Sequence, residues 1–124
     1  MMGRLLCLCS VVVIVASIAC APEPAATDPV ARGRQLYRSL GCPSCHEGGV
    51  FNLFRPVGPP LGEIGLVGRK RIPGMSAEDY IRQSITDPGA YVVPGYPDSM
   101  PRGIARDLSP EDLAALVGYL ASLR

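Results

Sequence analysis

Two thiols and an imidazole stand together in Cys42-Pro43-Ser44-Cys45-His46, and His46 is the only histidine of the 124-residue chain. Two thiols one short turn apart can each add to a vinyl group of one haem. The next residue is then held against a face of the iron, where a neutral imidazole is a strong axial ligand. C-x-x-C-H is therefore the pattern of covalent haem attachment. Two other chemistries use parts of it. A thioredoxin-like redox pair needs a βαβ context, and no strand pattern precedes Gly41. A zinc site with His46 as third ligand needs further Cys or His downstream, and the chain has none there.

The remaining cysteines, Cys7, Cys9 and Cys20, fall in an N-terminal segment with one positive charge, Arg4, followed by an uncharged apolar run from residue 5 to 19. This is the pattern of an export signal. Ser17-Ile18-Ala19 before Cys20 also resembles a bacterial lipobox, although Ser17 stands where leucine is usual. Three outcomes follow, in order of preference: lipidation at Cys20 as the mature N-terminus, a retained anchor, and a soluble product. The anchor ranks below lipidation because the run from residue 5 to 21 only reaches the lower end of the ~17–25 residues a spanning helix needs. Residues 1–20 are thus a signal or anchor, and 21–27, with two prolines and few bulky apolar side chains, a tether. Export and free-thiol chemistry agree on a compartment outside the cytoplasm.

The folded domain is expected over residues 28–124. Asp28 caps a helix with Pro29 at its first position, and Val30, Gly33, Leu36, Tyr37 and Leu40 recur at helical spacing up to Gly41. Ser76 and Asp79 form a capping-box-like start for a second helix with Tyr80, Ile81 and Ile85 on one face, closed by Asp87-Pro88-Gly89. Ser109-Pro110-Glu111-Asp112 opens a third, whose face is Leu113, Leu116, Val117, Leu120 and Leu123. Between them run Gly- and Pro-rich stretches without alternation, so the fold class is all-α with long loops. Loops this long in a compact domain are usually functional, and wrapping a cofactor is sufficient reason. A domain of this size buries only ~60–65% of its unfolded surface and gains core from a large apolar group.

From about residue 28 to the C-terminus the chain resembles a class I, mono-haem c-type cytochrome. The resemblance rests on the C-x-x-C-H, on Gly33 and Tyr37 with Leu116, Tyr119 and Leu120 as a crossing of terminal helices, and on Gly58-Pro59-Pro60-Leu61, similar to the family's G-P-x-L loop. It implies three main helices and long loops around one covalent haem c. It also implies that the Pro59 carbonyl accepts a hydrogen bond from His46, making the imidazole a better donor, and that Leu61 packs on the haem. Outside the export segment the methionines are Met75 and Met100. Tyr96-Pro97-Asp98-Ser99-Met100-Pro101 looks like the family's distal methionine loop, which makes Met100 the sixth ligand beside His46. Met75, ahead of a helix cap, reads as a packing residue. Residues 87–101 further resemble the cytochrome domain appended to subunit II of some haem-copper oxidases, without the copper ligands of that subunit.

The function implied is one-electron transfer in a respiratory or photosynthetic chain. The expected partners are redox proteins such as a terminal oxidase or a quinol-oxidising complex, together with a membrane reached through the N-terminal lipid or anchor. The competing functions are a haem enzyme or sensor with an open sixth position, for which Arg102 or Arg106 would have to fold inward, and a structural haem subunit of a membrane oxidoreductase. Charge is nearly balanced, twelve basic against eleven acidic residues, and no basic field points to nucleic acid. Arg69, Lys70 and Arg71 form the one local cluster, of the kind most often found solvated.

Overall fold

The computed structural model describes residues 26–47 and 56–124. The export segment with Cys20, most of the tether and residues 48–55 lie outside them. Among the described residues there are five α-helices and no strand: α1 Pro29–Ser39, α2 Cys42–His46, α3 Ile64–Val67, α4 Ala77–Thr86 and α5 Pro110–Ala121, with a 3₁₀ turn, Gly68–Lys70, continuing α3.

The three longer helices start where their caps dictate. An Asp28 carboxylate oxygen accepts from Ala31 N at 2.7 Å, Ser76 Oγ from Asp79 N at 3.0 Å, and Ser109 Oγ from Asp112 N at 3.0 Å. Each bond satisfies an amide that the first helical turn leaves unpaired, a contribution of ~1 kcal/mol. The two short helices have no periodicity to announce them. Gly41, in the left-handed region at φ 76°, stops α1 and restarts the chain as the single turn α2.

Helices α1 and α5 cross at Gly33. A Cβ there would strike the Ala115 carbonyl and lie 2.6 Å from Tyr119 Cβ, so hydrogen is the only side chain the crossing admits. Beside it the Tyr37 and Tyr119 rings pack at 5.6 Å between centroids and 55° between planes, within the range favourable for aromatic pairs. At the edge of the crossing Arg32 grips Asp112 in a bidentate pair, Nε to Oδ1 at 2.7 Å and Nη2 to Oδ2 at 2.8 Å. That hydrogen bonding holds the Asp112 carboxyl below the usual range, so its contribution to stability is present above the unfolded pKa and lost as pH falls through the folded one. Under the crossing, Leu36, Tyr37, Ile64, Tyr80, Ile81, Ile85, Leu116, Val117 and Leu120 form one buried cluster.

Two expected face residues behave differently. Val30 is 41% exposed, because it lies in the first turn of α1, ahead of the crossing at Gly33. Leu123 follows the end of α5; its side chain packs half-buried against the hydrophobic cluster, and its carbonyl accepts from Gly65 N at 3.0 Å. Gly65 permits that approach, since a Cβ would meet the carbonyls of Ala121 and Leu123. The C-terminus is thereby tied to α3.

Candidate functional site

A cleft of ≈ 240 Å³ opens between three walls. The first is α2 with residues 57–61. The second is the inner face of α4 continued by Pro88, Tyr91 and Val93. The third is the segment from Tyr96 to Ile104, and Leu116 and Leu120 of α5 close the bottom. Every site residue expected in the folded domain, Cys42, Cys45, His46, Pro59, Leu61 and Met100, lines this one cleft. Met75 does not; it packs half-buried against the hydrophobic cluster. Arg102 and Arg106 likewise stand outside the cleft lining. Cys20 lies outside the described residues.

Cys42 and Cys45 are both free and half-buried. Burial, above all, pushes the Cys42 thiol up, and the nearby Cys45 adds to this, which keeps it in the neutral form. Ser44 Oγ donates to Gly41 O at 2.6 Å, closing the turn on which the two thiols sit.

The imidazole is held from one side. His46 Nδ1–H donates to Pro59 O at 2.7 Å, the carbonyl being able only to accept. The accepting loop is itself latched, through Gly58 N to Cys45 O at 2.9 Å. Gly58 lies flat against the ring: a Cβ there would come within 2.7 Å of His46 Cε1 and 2.8 Å of Nδ1. With Nδ1 carrying the proton, Nε2 is the basic nitrogen left to bind a metal.

Some features of the site are not legible in the sequence. Tyr80, Ile81 and Ile85 show an apolar face on α4, but periodicity cannot say whether such a face meets a helix or a cofactor; here all three residues line the cleft. Tyr80 also meets Tyr91 edge-on, at 6.0 Å and 77°. The Tyr37 hydroxyl donates to Glu47 Oε1 at 2.9 Å, tying the residue after His46 back to α1. Burial first, and then Glu47, raises the Tyr37 pKa. No local signal marks that pair.

Helices folded around an apolar cleft, edged by two free thiols and an imidazole, define a domain built to hold a large apolar prosthetic group. The family model of cytochrome c matches residues 30–124, and the chain belongs to the cytochrome c family. Its fold is accordingly the all-α class I cytochrome c fold. Comparison with curated proteins finds no match. A cytochrome c carries covalent haem c with its iron and exchanges electrons with redox partner proteins, usually outside the cytoplasm. The residues fit that group: apolar walls suit a porphyrin face, two free thiols stand at the attachment spacing, and His46 and Met100 supply an imidazole and a thioether to the same cleft. Among the described residues no helix is long and apolar enough to cross a membrane.

Proposed function

We propose that this protein is a one-electron carrier of a respiratory or photosynthetic chain, with His46 and Met100 as axial ligands of a haem bound through Cys42 and Cys45. The observation that carries the proposal is the convergence of His46 and Met100 on one apolar cleft, with the His46 tautomer already set by Pro59. Haem c, when bound, supplies a one-electron ferric–ferrous couple. The chain's own residues do the rest. Pro59 orients the imidazole and fixes its tautomer; Gly58 keeps the loop flat against the ring; Leu61 and the α4 face exclude water, which favours the less charged ferrous state together with a soft thioether. With both ligands supplied by the protein and neither leaving, little would have to reorganise when the electron moves.

In reversible spectroelectrochemistry the purified holoprotein is expected to titrate as a single one-electron centre and to show no steady-state peroxide turnover. Sustained peroxidase turnover by the native ferric protein at a rate typical of enzymes, ~10 per second, would replace the carrier assignment with an enzymatic one.

The same proposal places the protein on the outer side of a membrane, anchored by lipid on Cys20 and serving a terminal oxidase or a quinol-oxidising complex. The likeness of residues 87–101 to an oxidase-appended domain supports the oxidase. A tether raises the local concentration of carrier without strong affinity, which suits a chain with balanced charge and weak steering. Cys20→Ser is expected to move the protein from the membrane fraction to the soluble one, or to leave an unprocessed precursor. Mass analysis of the wild-type N-terminus checks this: a lipidated Cys20 is expected, and a terminus at Met1 or Met2 means a retained anchor instead.

A further inference from the structure

The segment that carries Met100 is weakly held by its own backbone. Pro97 and Pro101 have no amide hydrogen, and among the described residues the one backbone hydrogen bond within 97–102 is Ser99 N to Pro97 O at 3.0 Å. A side-chain contact spans it instead. Arg102 Nη2 donates to Asp98 Oδ2 at 2.7 Å, so the ion pair closes a ring around Met100 from its two flanks. The same guanidinium rests on Gly89: a Cβ at that position would collide with Arg102 Nη1 and lie 2.8 Å from Nη2 and 2.9 Å from Cζ. Gly89 belongs to the turn that ends α4, where Ala90 N bonds Asp87 O at 3.0 Å and Pro88 is buried in the cleft wall. Arg102 thus joins a loop with few bonds of its own to a turn fixed on the core.

We infer that Arg102 is a positioning residue which, clasping Asp98 and seated on Gly89, keeps Met100 in the cleft and so keeps exogenous ligands off the sixth position. The inference rests on the reading of Met100 as an axial ligand. Both side chains are largely exposed, 61% and 46%, and an exposed ion pair contributes little to global stability. Its effect is local. Loop opening draws on the low end of the stability range, where a small contribution is a large fraction of the whole. The planar fork matters as well, because one edge bonds the carboxylate while the flat body lies on Gly89, a geometry that lysine does not reproduce.

The test titrates imidazole into the ferric holoprotein, where it competes with Met100, for the wild type, Arg102→Ala, Asp98→Asn, the double variant and Arg102→Lys, with Met100→Ala as control. Arg102→Ala and Asp98→Asn are each expected to bind imidazole about fivefold more tightly than wild type, the upper end for such a pair. The double variant should bind no more tightly than Arg102→Ala, as required of two residues acting through one contact. Arg102→Lys should fall between wild type and Arg102→Ala, and the thermal midpoint should stay at the wild-type value in the Arg102 and Asp98 variants. If Met100→Ala binds imidazole far more tightly than wild type while the Arg102 and Asp98 variants match wild type, the clasp is wrong and the ligand assignment stands. Independent, additive effects of the two single changes also overturn the clasp. If Met100→Ala itself matches wild type, the axial assignment fails, and the clasp with it.

Discussion

Replacing Cys42 and Cys45 together by serine abolishes covalent haem: on a denaturing gel the band that stains for haem in the wild type disappears. The expectation follows from the two free thiols at the cleft edge, the pair of attachment points that C-x-x-C-H supplies. The effect reaches beyond attachment. The cleft is walled by side chains from α4, the 96–104 segment and α5, and those walls need an apolar body between them. In a domain this small a lost cofactor is lost core. The double variant is therefore expected to lose its cooperative thermal transition as well, followed by circular dichroism. Haem that stays on the polypeptide through denaturation in the double variant overturns the attachment assignment. Noncovalent haem with a native-like transition would limit the thiols to anchoring.

Met100→Ala removes the sulfur-to-iron absorption band and lowers the reduction potential, whereas Met75→Leu leaves both nearly unchanged. A thioether is soft and neutral and favours ferrous iron; without it, water or a harder ligand takes the position and the ferric state gains. The shift is expected to be on the order of 0.1 V, a modest part of the ~0.8 V that axial ligands span in haem proteins. The contrast between the two methionines rests on placement. Both pack against the hydrophobic cluster, but only Met100 lines the cleft; Met75 stands outside it, with its backbone amide bonded to Ile72 O at 3.2 Å. Leucine conserves most of the volume at position 75, so the core tolerates it. Redox titration with optical detection reads both quantities in one experiment. Loss of the band in Met75→Leu alone would transfer the sixth ligand to Met75.

Elements encoded in consecutive residues are legible in the chain itself. Asp28, Ser76 and Ser109 each mark a helix start because a cap bonds an amide only three residues on. The attachment motif is equally local, since both thiols and the imidazole share one turn, and the family resemblance adds Pro59 as the partner of His46. Helices α2 and α3 are not legible: five and four residues are too few to show a period, and tertiary contacts decide their form. Val30 satisfies the pattern of α1 and still faces solvent, because periodicity locates a face and not where along it the partner helix crosses.

The helix caps, the all-α class, the thiol–imidazole chemistry and the two candidate methionines, Met75 and Met100, are therefore legible in the sequence alone. Which side chains share a space is a property of the folded molecule. Folding carries Arg32 across to Asp112, turns the α4 face toward the cleft, lays Gly58 against the imidazole, and puts Met100 in the cleft wall and Met75 outside it. The physical reason is range. Caps and attachment turns are satisfied by bonds within a few residues, whereas a cleft is closed by packing among segments whose separation along the chain leaves no trace in local pattern.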